Sequence, residues 1–166
     1  KRNTFVDGIP IAVPMMDIHT VGAGGGSVAW LDAGGAMRVG PQSAGADPGP
    51  AAYGRGGDRA TVTDAHVVLG RLPKDALLGE QTEIDAEASR QVIDQMACLL
   101  DWSSERVALG IIDVANHEME RALRKVSQER GQDPGETTLV CFGGAGALHA
   151  VELARSCGIP RVRVPA

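Results

Sequence analysis

An α/β fold is predicted, and three stretches of the chain predict it. Thr137 to Val164 runs through an apolar segment, a glycine turn, a helical stripe and a second apolar segment. That is the pattern of a βαβ unit, with parallel strands joined by a right-handed crossover. Residues 84–130 repeat apolar side chains at helical spacing. Residues 9–39 hold short β-branched runs broken by glycine turns. The expected layout is N-terminal β-hairpins and glycine-rich loops, two central helices and the C-terminal βαβ unit.

Each element has its own signal. Ile9 to Val21 is apolar and β-branched enough for one or two strands. Val28 to Leu31 and Ala36 to Val39 flank Asp32-Ala33-Gly34-Gly35, a hairpin around a glycine turn. Gly40 to Gly57 is too rich in Pro and Gly for regular structure and reads as an ordered loop. Thr63 or Asp64 is expected to cap a short helix closed by Gly70 and Pro73. Asp85 caps the next, with Ile84, Ala88, Val92, Met96 and Leu99 as its stripe. A longer helix starts near Ser103 or Ser104, carries Val107, Ile111, Ala115, Met119, Ala122 and Val126, and stops at Gly131 before Pro134. Thr137 to Phe142 is a buried strand pattern, and Ala147 to Cys157 a helix with Leu148, Val151 and Ala154 on one face. Val162 to Val164 is the last strand.

Composition narrows the function classes. The 166 residues suit one domain, and 43% apolar with only 3% aromatic residues implies an aliphatic, Ala-rich core. A net charge of −5 argues against non-specific nucleic-acid binding. No apolar run of about 18 residues is present, so no membrane helix is expected. Residues Lys1 to Gly8 lack a signal-peptide apolar region. Cys98, Cys141 and Cys157 are odd in number and lack metal-ligand spacing, as for reduced thiols in a cytoplasmic protein. A first residue that is Lys1 rather than Met suggests a cut piece of a longer chain or a processed or engineered chain.

Three motifs can carry chemistry. In FGGAGALHA, Phe142 to Ala150, Gly143, Gly144, Ala145 and Gly146 follow a strand and open a helix. Its N-terminal N–H groups suit the phosphate or ribose oxygens of a nucleotide, although a tight turn alone would also use these glycines. The spacing is neither GxGxxG nor a P-loop. In DIHTVGAGGGS, Asp17 and His19 stand at i and i+2 on one strand face, where they could share a proton or bind a metal. Gly24, Gly25, Gly26 and Ser27 just after them could form an anion-binding nest. A structural Asp–His pair beside a turn is the plainer account. A metal site needs a third ligand, and His66, His117 and Asp64 are candidates. The Gly40–Gly57 loop offers Tyr53 and Arg55, which could close over a ligand or merely shape a surface loop. Asn116, if buried in its helix, needs partners, whereas His117 and Glu118 suit a solvated face.

Read together, DIHTVGAGGGSVAW, GPQSAGADPGPAAYGRGG, TVTDAHVVLGRL, the stretch from Asn116 through ERGQDPGE, and FGGAGALHA occur in the order of one known family. The chain resembles the large ATP-dependent subunits of hydantoinase A, oxoprolinase and the ketone carboxylases over nearly its whole length. The resemblance implies an actin-like, ribonuclease-H-like ATPase fold and ATP with a divalent metal such as Mg. It also implies a cyclic-amide or ketone substrate and a second enzyme subunit. A homo-oligomer is compatible with it. By resemblance, Gly143 to Gly146 form a nucleotide-side turn, and Asp17, His19 and the Gly22–Ser27 loop lie near the reaction site. It further implies an internal segment, with 1–80 as the strand and glycine-loop part and 81–166 as the helices plus βαβ unit, inactive alone. ATP-dependent opening of a cyclic amide is the leading expectation. A ketone carboxylase is the rival, and a non-catalytic scaffold or a metal-binding module lies outside the class. Ala52 stands where the family often has Cys, which removes a thiol that could have served the chemistry. Ala147 stands where it often has Pro.

Overall fold

The computed structural model describes the strand backbone at residues 4–6 and 9–11, and residues 18–73 and 83–165 in full. Asp17, and part of the strand expected over Ile9 to Val21, lie outside the described residues. β1 (Thr4–Val6) and β2 (Ile9–Ile11) pair antiparallel with Phe5 opposite Pro10.

β3 (Ser27–Leu31) and β4 (Met37–Ser43) form the expected hairpin, Ala29 opposite Val39. Its turn is made by Asp32, whose Oδ1 accepts from the N–H groups of Gly34 (3.0 Å) and Ala36 (2.9 Å). Gly35 takes φ 78°, the left-handed conformation that glycine tolerates best. The Pro/Gly-rich stretch is ordered. β4 runs on to Ser43, and a 3-10 turn over Ala51–Tyr53 buries Ala51 and Ala52. The chain crosses itself there: a Cβ on Gly57 would lie 2.4 Å from the Gly49 carbonyl oxygen, so only glycine fits.

α1 (Val62–Val68) starts two or three residues earlier than the sequence suggests. Thr61, in extended geometry, is the N-cap, and Asp64 is the fourth residue of a capping box. The box wins because each side chain satisfies the other residue's free N–H. α2 (Ala86–Leu100) is capped by Asp85, whose Oδ1 accepts from Ala88 N–H at 2.8 Å. Val92, Ile93, Met96 and Ala97 are buried, but Leu99, in the last turn at the edge of the stripe, is 75% exposed. α3 (Ser104–Glu129), capped by Ser103, is the spine of the molecule and packs on α1, α2 and β4. Val107, Ala108, Ile111, Ile112 and Ala115 join Val62, Ala65, Ile93, Ala29 and Val39 in one aliphatic core. Gly131 at φ 59° ends the helix as expected.

β5 (Thr138–Val140), α4 (Gly146–Cys157) and β6 (Arg161–Arg163) complete the βαβ unit, with β5 and β6 parallel and Leu139 opposite Val162. Two expectations fail here. The first strand is not buried as expected: Val140 and Phe142 are exposed, as are Val162 and Val164, because a two-stranded pair presents two faces and α4 packs on only one side of it. The buried face of α4 is His149, Ala150, Leu153, Ala154 and Cys157, and Val151 points outward. The helix is rotated to bring His149 against α3 and α1, so the polar ring and not the most apolar stripe decides the face. The three cysteines are free thiols, and burial pushes those of Cys141 and Cys157 above their ordinary value.

Candidate functional site

Two glycine turns far apart in sequence meet. The Gly22–Ser27 loop is pinned by its own serine: Ser27 Oγ accepts from Gly24 N–H (2.9 Å) and donates to the Gly22 carbonyl (3.2 Å). Ala44 N–H donates to the Gly26 carbonyl, and both Thr63 N–H and Thr63 Oγ1 donate to the Gly25 carbonyl at 2.9 Å. The loop is thus tied to α1. A Cβ built on Gly25 would lie 2.9 Å from Thr63 Oγ1 and 3.2 Å from the Cβ of Ala145, so this loop touches the Gly143–Gly146 turn.

The space on these turns is what a ligand would need. A Cβ on Gly24, Gly143, Gly144 or Gly146 would meet nothing within 4 Å. At α4 no side chain caps the N-terminus, and its first turn holds no acidic residue. Free N–H groups at the positive end of a helix, beside bare glycine backbone, fit an anionic or ribose oxygen. By contrast, α1 is closed to a ligand by its capping box.

His19 is exposed and lies elsewhere. With Thr20, Val21 and Gly22 it faces Glu118, Arg121, Lys125 and Gln128 of α3 across an open cavity of about 520 Å³. A second, smaller depression of about 250 Å³ runs over Val21 to Ser27, Pro41 and Ser43, so Gly22 joins the two. His19 therefore lines a cavity that reaches the Gly22–Ser27 loop and does not include the Gly143 turn.

The candidate third metal ligands are otherwise engaged. Asp64 is fully buried, and its carboxylate accepts four hydrogen bonds, from the N–H groups of Ala52 (2.8 Å) and Thr61 (3.0 Å) and the hydroxyls of Thr61 (2.7 Å) and Ser89 (2.9 Å). Burial pushes its carboxyl above the ordinary value, and these donors pull it back. His117 is exposed, its Nδ1–H donating to the Asp113 carbonyl at 2.8 Å. His66 pairs with His149 inside the protein. Among the described residues no three His, Cys, Asp or Glu side chains cluster as metal ligands. Tyr53 and Arg55 serve the loop itself: the Tyr53 ring covers Gly49, and Arg55 donates to the Ala46 carbonyl. Ala52 is wholly buried beside Val67 and Ile84, so a thiol at this position would sit in the core rather than at an open site.

Sequence reasoning missed the polar chain that runs from two buried histidines out to the partly exposed Glu152 and Arg71. His66 Nε2 lies 3.3 Å from His149 Nε2, His149 Nδ1 lies 2.6 Å from Asn116 Oδ1, Asn116 Nδ2 donates to Glu152, and Glu152 pairs with Arg71 at 3.1 Å. Burial lowers the pKa of both histidines, that of His66 to about 3, so both rings are neutral. Only the prospect of a buried Asn116 in need of partners hinted at this. The histidines are 83 residues apart in sequence, and no spacing rule pairs them.

Glycine-backed turns at a helix N-terminus within an α/β frame make this a candidate site for an anion or a nucleotide. Comparison with known proteins narrows this. The hydantoinase/oxoprolinase family model matches residues 1–166, and the chain belongs to that family. It is 46% identical over 156 residues to the caprolactamase subunit alpha of Pseudomonas jessenii, covering 93% of this chain and 22% of that subunit. It is 39% identical to 5-oxoprolinase 1 of Arabidopsis thaliana, covering 97% of this chain and 14% of that enzyme. The crystal structure of the ATP-dependent caprolactamase from Pseudomonas jessenii superposes with a TM-score of 0.84 over 94% of this chain and 23% of that one. Nucleotide-free acetone carboxylase superposes with a TM-score of 0.83 at 31% identity, over 100% of this chain and 24% of that one. The chain therefore spans under a quarter of the length of these relatives.

Proposed function

We propose that this chain is part of an ATP-dependent enzyme that opens a cyclic amide, and that the paired glycine turns form one wall of its nucleotide site. The observation that carries this is the contact of Gly25 with Ala145 beside open backbone at Gly24, Gly143, Gly144 and Gly146. The reading takes the fold as a segment of an actin-like ATPase, with nucleotide held between this segment and the rest of the protein. The residues here would bind and orient: the α4 N-terminus and the Gly143–Gly146 backbone toward the nucleotide, and Gly24, Gly25, Gly26 and Ser27 toward its phosphates. His19, in the cavity continuous with that loop, is the candidate to hold or move a proton on the substrate side, with Asp17 as its partner and the pair as candidate ligands of a divalent metal such as Mg. Bound ATP would supply a phosphoryl group that turns a poor amide electrophile into a good one.

The 46% identity to a caprolactamase subunit, against 31% to acetone carboxylase, favours the amide over the ketone substrate. A second subunit is proposed from the alpha-subunit relative, and a cytoplasmic setting from the free thiols. No helix among the described residues is long and apolar enough to cross a membrane. The test is calorimetric titration of the full-length protein with Mg-ATP, wild type against Gly144→Val. A Cβ at Gly144 meets no atom of this segment within 4 Å, so the segment's fold should stand while binding is lost. Undiminished affinity in the variant overturns the assignment.

A further inference from the structure

The polarity of this hydrogen-bonded chain can be worked out from its Glu152 end. The Glu152 carboxylate, paired with Arg71, only accepts, so Asn116 must turn Nδ2 toward it and Oδ1 toward His149. His149 Nδ1 therefore carries the proton and its Nε2 is bare. His66 Nε2–H must then donate to His149 Nε2, at 3.3 Å. His66 Nδ1 is left without a proton and, although buried, without a hydrogen-bond partner among the described residues. Among the described residues the His66–His149 bond is thus the one hydrogen bond that the His66 ring makes, and the ring leaves a buried polar atom unpaired to make it.

What this bond joins is informative. His66 is on α1, three residues from Thr63, which grips the Gly25 carbonyl twice. His149 is on the first turn of α4, three residues past Gly146. Asn116 anchors His149 to α3, and Glu152 of α4 reaches Arg71 just beyond α1. No purely apolar contact would set the rotation of α4 as a directional bond does.

We infer that His66 and His149 are positioning residues whose hydrogen bond holds the Gly22–Ser27 loop and the Gly143–Gly146 turn in register across the candidate site. Its effect on ATP rests on the nucleotide reading above; the registration itself does not. Neither ring touches the site, so both act through the turns that their helices carry.

The experiment uses the full-length protein with His66→Leu and His66→Gln. Leucine fills the space without a donor, whereas the glutamine amide carries its N–H near the position of the lost Nε2–H. Hydrogen exchange is read at Gly24, Ser27 and Leu148, whose amides are bonded within the two turns, and at Ala36 in the distant hairpin turn as control. In His66→Leu the three turn amides should exchange about tenfold faster with Ala36 unchanged, the effect of one lost buried hydrogen bond. His66→Gln should restore wild-type exchange. ATP KM should rise about tenfold in the leucine variant with kcat little changed, as expected for a loss of uniform binding. Wild-type exchange in His66→Leu, or equal loosening in both variants, overturns the inference. Loosened turns with an unmoved ATP KM support the registration and refute the nucleotide assignment instead.

Discussion

Removing the Asp64 carboxylate should be among the most damaging single changes in this domain. Its two oxygens hold Ala52 N–H, Thr61 N–H, and the hydroxyls of Thr61 and Ser89. In Asp64→Ala the hydroxyls can adjust: Ser89 Oγ already has a substitute acceptor in the Asp85 carbonyl at 3.1 Å, and the Thr61 O–H, which loses its acceptor, is free to rotate while its Oγ1 still accepts the residue 64 N–H. The two backbone N–H groups have no substitute acceptor. Each buried orphan costs about 1–3 kcal/mol, so the variant should lose about 4 kcal/mol. Asp64→Asn keeps one accepting oxygen and should lose about half as much. Native-state hydrogen exchange in the full-length protein reads this at the Ala52 and Thr61 amides, where about 4 kcal/mol is nearly three decades in rate. Thermal unfolding should fall by about 10 °C if the domain melts as one unit. Exchange within a few-fold of wild type would mean that these N–H groups find other partners. A stabilised variant would mean that burying the charge costs more than its hydrogen bonds return. Either result refutes the argument.

Acid should unfold the protein through its histidines. His66 is held at about 3 in the fold against an ordinary value of 6.5, so the unfolded chain binds the proton first. Stability is then full above pH 6.5 and is lost as pH falls from 6.5 to about 3, by up to roughly 1.4 kcal/mol per pH unit for this one ring. His149, also lowered, adds to the slope, while Asp64, raised by burial, opposes it near and above 3.8. Unfolding midpoints across pH 4 to 7 check this, and His66→Leu should flatten the profile; a wild-type profile already flat there contradicts it. His19→Ala should leave ATP affinity intact but lower turnover of the full-length protein, because the ring lies in the neighbouring cavity and not on the Gly143 turn. Unchanged turnover would return His19 to a structural role. Gly144→Val, with its expected loss of ATP binding, completes the set.

Where local chemistry decides the outcome, the elements were legible. Asp85 and Ser103 cap their helices, Gly131 stops α3, and the glycines around Asp32 turn the hairpin, because each involves residues within a few positions of one another. The α1 cap lies two or three residues before the expected one because Thr61, Thr63 and Asp64 are all capping types, and only the reciprocal bond between Thr61 and Asp64 selects among them. The face of α4 was misread because Val151 is more apolar than His149. Its burial follows from what lies opposite, and that is Asn116 and His66, which periodicity does not see.

Local sequence by itself determined the α/β class, the order of elements, the two glycine motifs and the family resemblance that the family model bears out. These depend on spacing, turn chemistry and side-chain type along one stretch of chain. Tertiary structure alone decided that Gly25 meets Ala145, that His66 and His149 share a hydrogen bond, and that Asp64 is a buried clamp rather than a site carboxylate. Each of those facts joins residues on separate elements. Which elements come together is set by how α3 buries the aliphatic faces of α1, α2 and β4, a property of the packed whole.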